Sequence, residues 1–184
     1  MKLRLLLLLF LASASLSSYA QKASAKSAND QYVCLPCGSD CDHAVLDGPG
    51  SCPHCGMRLV LKKSVVFTNI SPAELCKTVA ARPNVILLDV RTPDEFAGRA
   101  RENFGRLKNA INIPVQELES RLSELNGAKN KEIIVYCSHS HRSPRASHIL
   151  TENGFTDVKN MTGGMSVWNE SVGQLPLGKA LLVK

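Results

Sequence analysis

The stretch "EIIVYCSHSHRS", Glu132 to Ser143, sets an apolar run directly against one cysteine, two histidines and an arginine. The run "EIIVY" has the β-branched and aromatic content of a short buried strand. A helix is expected from Ser143 or Pro144, since proline suits a first turn. Six residues, Cys137 to Arg142, then form the connecting loop. Such a strand-loop-helix turn gathers backbone N–H groups and a helix N-terminus around one point, where an anion is stabilised. The Cys137 thiolate is placed to be that anion and to act as a nucleophile. Arg142 adds a permanent charge and a planar fork for an anionic substrate. Ser138, His139, Ser140, His141 and Ser143 complete the substrate-binding turn. With amides turned inward and side chains outward, His139 and His141 are expected on the rim of the pocket rather than on a metal.

Outward from this loop, short β-branched runs alternate with segments of helical period. Strands are expected at "SVVF", "NVILLDV", "AINIP", "EIIVYC" and "DVKNM". Helices are expected from Ser71, near Pro93, from Val115, from Ser143 and from Gly164. This alternation over about a hundred residues predicts a mainly parallel sheet flanked by helices, an α/β fold. Cys76 and Trp168 read as core residues, and His148 as an ordinary helix residue.

The chain begins "MKLRLLLLLFLASASLSSYAQ": two basic residues, an apolar run from Leu5 to Ala12, then small residues ending at Ala20. That succession is expected of a signal peptide spanning residues 1–20, giving an exported protein, periplasmic or secreted. The run is too short to span a bilayer, so no membrane association is expected after cleavage. Removing it takes away Lys2 and Arg4 and lowers the formal charge from +6 to +4. The remaining excess is scattered, densest at Arg99, Arg101, Arg106 and Lys108, with few aromatics; nucleic-acid binding has little support. Residues 21–31 read as a flexible spacer, 32–61 as a cysteine-rich module, 64–171 as the α/β domain and 172–184 as a C-terminal tail.

Five of the seven cysteines crowd between Cys34 and Cys55. Cys34 and Cys37 form one CxxC, and Cys52 and Cys55 form another after fourteen intervening residues. Two such turns supply four thiolates to a tetrahedron, the arrangement that structural zinc prefers. Gly38 and Gly56 suit turns that aim amides at sulfur. Cys41 and His43 remain alternative ligands, His54 is expected to face solvent, and a pair of disulfides is the competing arrangement in an oxidising compartment.

Two resemblances follow from these motifs. "DGPGSCPHCGMRLV" is similar to the heavy-metal-binding domain found in bacterial metal-efflux proteins, matching its PGxCPxCGMxL pattern; the first half departs, with Pro36 and Cys37 at the family's methionine and histidine positions. "LLDVRTPDEF", "NAINIP", "IVYCSHSHRS" and "GFTDVKNMTGGMSVWNE" together resemble the rhodanese family. The resemblance implies a rhodanese-like fold and sulfur transfer from a donor such as thiosulfate or a persulfide, through a Cys137 persulfide, to a thiol or cyanide-like acceptor, including a protein thiol. Cys137 and Arg142 would be catalytic, Asp89 and Arg91 supporting charges, and no cofactor would be needed beyond the structural zinc. The six-residue loop resembles that of sulfurtransferases, whereas related phosphatases and arsenate reductases use seven. A non-catalytic scaffold that binds metal or persulfide is the alternative. "GRARENFGRLKNA" lengthens and alters the family's segment on the substrate side.

Overall fold

The computed structural model describes residues 30–36 and 40–184; the expected signal segment, nearly all of the spacer, Cys37 and Gly38 lie outside the described residues. At the N-terminal side, β1 (Tyr32–Val33) lies between β2 (Val45–Leu46) and β3 (Val60–Leu61) in a small antiparallel sheet. Cys34, Cys41, Cys52 and Leu59 fill its interior. Leu35 faces away from them and is buried in the core of the larger domain with Phe67.

That domain runs β4 (Thr68–Ile70), α1 (Pro72–Ala81), β5 (Ile86–Asp89), α2 (Pro93–Phe96), β6 (Arg106–Leu107), β7 (Ile111–Asn112), β8 (Glu132–Tyr136), α3 (Arg142–Glu152), β9 (Asp157–Met161), α4 (Gly164–Glu170), α5 (Pro176–Leu181) and β10 (Leu182–Val183). Strands β4, β9, β8, β5 and β7 lie in that order as one parallel sheet. Alternation along β8 divides the core: Ile133 and Val135 pack with Ala146, Ile149 and Leu150 of α3, while Ile134 and Tyr136 pack with Leu75 of α1 and Met165 and Trp168 of α4. Period-two side chains thus serve two faces at once, which is why the run reads as continuously apolar.

Helix starts follow local chemistry. Ser71 accepts from the Glu74 amide while the Glu74 carboxylate accepts from the Ser71 amide, with Pro72 in the first turn of α1. Thr92 and Glu95 repeat the box at α2. Each such cap contributes about 1 kcal/mol.

Two expectations are corrected. "SVVF" is not a strand: Lys62–Ser64 is a 3-10 turn, and pairing begins at Thr68, where β9 supplies the partners. The segment after Val115 forms 3-10 turns over Glu119–Ala128 instead of an α-helix. Leu122, packed against the core, and the buried Leu125 and Ala128 follow at intervals of three, the spacing at which a 3-10 turn aligns side chains. Beyond residue 171, α5 leads into β10, which pairs antiparallel with β6 inside the altered "GRARENFGRLKNA" segment. No helix among the described residues is long and apolar enough to cross a membrane.

Candidate functional site

The loop after β8 opens at the carboxyl edge of the parallel sheet, between the ends of β5 and β9, where α/β folds place their ligands. Cys137 is only 1 % exposed, and its Sγ lies 3.4 Å from Ser143 Oγ at the start of α3.

Side chains around the loop alternate, contrary to the expectation that all point outward. His139 and His141 are exposed, whereas Ser138 and Ser140 are buried. Ser140 sits at φ 60°, a left-handed conformation that costs a non-glycine residue about 1–2 kcal/mol. Its hydroxyl points beneath the loop, 3.4 Å from the Met161 carbonyl. Arg142 Nη2 donates to Ser138 Oγ at 2.8 Å.

Arg142 is itself held by a residue that the sequence reading did not single out. Its Nη1 and Nη2 donate to the two carboxylate oxygens of Glu95 at 2.6 and 2.7 Å. Hydrogen bonding from Arg142, against the opposing effect of burial, draws the Glu95 carboxyl down to about 2. The same bond raises the Arg142 guanidinium. The clue was present in "TPDEF": a capping-box glutamate one turn beyond a β-strand, with its carboxylate free to serve a second partner.

The loop is also fixed from α4. Met165 and Ser166 amides donate to the Cys137 and Ser138 carbonyls at 2.9 and 3.0 Å. Gly164, at φ 62°, makes that approach possible, since a Cβ there would stand 2.5 Å from the Ser138 carbonyl oxygen. Only glycine fits both the backbone conformation and the space.

Asp89 and Arg91 form a fully buried pair away from solvent, with Arg91 Nη2 donating to Asp89 Oδ2 at 2.6 Å and to the Gly105 carbonyl at 2.8 Å. Burial opposes the Arg91 charge, but Asp89 raises the guanidinium above its ordinary value. Burial, then the Asp89 charge, pushes the Tyr136 hydroxyl well above its usual range, and that hydroxyl accepts from the Leu107 amide at 3.2 Å. These groups brace the altered segment, whose Phe104 ring meets His139 edge-on at 5.4 Å. Phe104 and His139 therefore pack together beside the Cys137 loop.

In the small unit, Cys34, Cys41, Cys52 and Cys55 bring their sulfurs within 4.8 Å of one another. Cys41 thus joins the group, while Cys37, expected as a ligand, lies outside the described residues. His43 and His54 are exposed. The Gly56 amide closes the second knuckle on the Cys52 carbonyl at 2.9 Å, with Gly56 left-handed at φ 73°. Amides of Cys55 and His54 lower the Cys52 thiol to about 7, whereas burial pushes Cys41 up to about 12 and Cys34 higher still. Four neighbouring thiols cannot all ionise without a cation among them. Zinc with Zn–S bonds of about 2.3 Å gives S···S edges of about 3.8 Å, which fits this spacing. The six described cysteines are free, and the 3.3 Å between Cys34 and Cys55 sulfurs is not a disulfide length.

Elsewhere, Cys76 is buried on α1, Trp168 is fully buried, and His148 lies 3.8 Å from Glu152.

A profile of the Rhodanese-like domain matches residues 71–171. A sulfurtransferase of Allochromatium vinosum is 30% identical over 103 residues, covering 56% of this chain and 89% of that protein. The uncharacterized protein YqhL of Bacillus subtilis is 37% identical over 86 residues, 47% of this chain and 62% of YqhL, so less than two thirds of that relative is spanned. Among solved structures, the reduced Bacillus anthracis CoADR-RHD is 28% identical with a TM-score of 0.51, covering 65% of this chain and 18% of that one. The cysteine-rich unit lies outside the span matched by the family profile.

Proposed function

This chain belongs to the Rhodanese-like domain family, and we propose that it is a sulfurtransferase that carries a sulfane sulfur on Cys137. The observation that carries the proposal is the six-residue loop itself, with a recessed thiol at its first position and an arginine, fixed by Glu95, at its last. The Allochromatium vinosum relative bears the name sulfurtransferase, which supports the same chemistry here.

In the first step the Cys137 thiolate attacks the outer sulfur of thiosulfate or a persulfide. A new S–S bond forms, the donor's S–S bond breaks, and its electron pair leaves with sulfite or thiolate. In the second step a nucleophilic acceptor, cyanide or a thiolate, attacks the outer sulfur of the Cys137 persulfide, and the electron pair returns to Cys137. No external oxidant or reductant is consumed. A turn from strand through loop into helix is the kind of setting that favours a negative sulfur. Ser143 stands within reach of Sγ, and Arg142 supplies the positive charge at the rim.

Cys34, Cys41, Cys52 and Cys55 would hold zinc, whose chemistry there is structural: it neutralises thiolates that burial otherwise keeps protonated. The leader-like residues 1–20 support export of the chain.

The test is thiosulfate-to-cyanide transfer by the protein lacking residues 1–20, alongside Cys137→Ser. Turnover in the parent and none above background in the variant is expected; equal rates in both would remove the enzymatic reading.

A further inference from the structure

Asn160 occupies the carboxyl end of β9, in register with Val135 of β8, and is fully buried. Its Nδ2 faces three acceptors: Asn69 Oδ1 at 2.9 Å, the Pro36 carbonyl at 3.4 Å and Ser140 Oγ at 3.5 Å. Its Oδ1 is buried without a hydrogen-bond partner. A buried amide left partly unsatisfied is costly, and an aliphatic side chain would serve packing better at this position. The polar group therefore has a role other than filling the core.

Its partners define that role. Pro36 follows Leu35, which is locked into the large core, and Leu35 follows Cys34 of the four-thiol group. Ser140 is the left-handed residue of the Cys137 loop. The backbone beside the thiol group and the strained point of the sulfur-carrying loop thus meet on one amide. Two N–H groups facing three acceptors cannot satisfy all of them fully, so a shift of the Pro36 carbonyl changes what is left for Ser140.

We propose that Asn160 is a positioning residue that couples the four-thiol unit to the Cys137 loop, so that zinc loading of Cys34, Cys41, Cys52 and Cys55 tunes the reactivity of Cys137. The inference rests on the metal and sulfur-transfer readings above. Binding at Cys34 fixes the Leu35 and Pro36 backbone, which orders the Asn160 amide and, through it, Ser140. Loss of the metal loosens the first link and lets the loop relax from the geometry that stabilises the thiolate.

The experiment compares zinc-loaded protein with protein stripped by a chelator under reducing conditions, measuring zinc content, the iodoacetamide alkylation rate of Cys137 by peptide mass spectrometry, and sulfur transfer. Stripping should slow both Cys137 alkylation and transfer by about threefold or more, within the range of coupling carried by packed networks. Asn160→Leu should retain zinc yet alkylate slowly whether loaded or stripped. Ser140→Gly, which keeps the left-handed backbone and removes the hydroxyl, should blunt the response in the same way and covers the case in which Asn160→Leu does not fold. Protein that binds zinc but alkylates equally fast in both states overturns the coupling alone, as does an undiminished response in both variants. Protein that binds no zinc overturns the metal reading and the coupling together. Retained zinc-dependent alkylation without any sulfur transfer would leave the coupling standing and remove the enzymatic reading.

Discussion

Glu95 grips Arg142 through both carboxylate oxygens, at 2.6 and 2.7 Å, across 47 residues of sequence. The arginine at the end of the Cys137 loop is therefore a fixed fork rather than a free cation, and its direction is set from α2.

Glu95→Gln should lower kcat/KM for thiosulfate by about tenfold while leaving the fold intact, because a partly exposed charge pair controls orientation more than stability. Steady-state kinetics with a thermal melt checks this. The pH dependence has a definite sign: the Glu95 carboxyl is drawn from 4.5 down to about 2 in the folded protein, chiefly by the Arg142 hydrogen bond. Its contribution is present above pH 4.5 and is lost as pH falls through 2. After allowance for screening it amounts to about 1–2 kcal/mol. Urea midpoints at pH 6 and pH 3 should diverge less in Glu95→Gln than in the parent.

Gly164→Ala should abolish transfer and destabilise the protein by about 2–4 kcal/mol, since its Cβ would meet the carbonyl oxygens of Ser138 and Cys137 at 2.5 and 2.6 Å. Denaturant unfolding gives the magnitude. A stable, active Gly164→Ala protein would show that α4 does not fix the loop.

Asp89→Ala leaves the guanidinium of Arg91 buried without its carboxylate and should cost about 3–5 kcal/mol. Replacing the pair together, Asp89→Leu with Arg91→Met, should recover much of that loss. A double-mutant cycle by chemical denaturation measures it.

Cys41→Ser should reduce bound zinc, whereas the sequence pattern alone would assign that effect to Cys37→Ser. Metal analysis of both variants separates the two ligand sets; zinc unchanged in Cys41→Ser would remove Cys41 from the site.

Much of this was legible along the chain. Continuous apolar runs of strand length, separated by helical segments, specify a parallel sheet because strands buried on both faces lose their polar alternation. The strand-loop-helix turn at Cys137 was equally plain, since the chemistry of a six-residue loop is local. The 3-10 path of Glu119–Ala128 was harder to see, because buried positions three residues apart fit a helix and a 3-10 turn alike at this length.

What the amino-acid order determined by itself was therefore whatever is written in contiguous residues: four of the sheet's five strands, the Cys137 loop, the second cysteine knuckle and the caps of α1 and α2. Tertiary structure decided the rest: that Glu95 clamps Arg142, that Cys41 stands with Cys34, Cys52 and Cys55, that β10 closes over β6, and that Asn160 joins Pro36 to Ser140. Periodicity reports which face of an element is buried, but not which distant residue the crossovers bring opposite it. Those partners exist only once parallel strands, with their long connections, have been placed side by side.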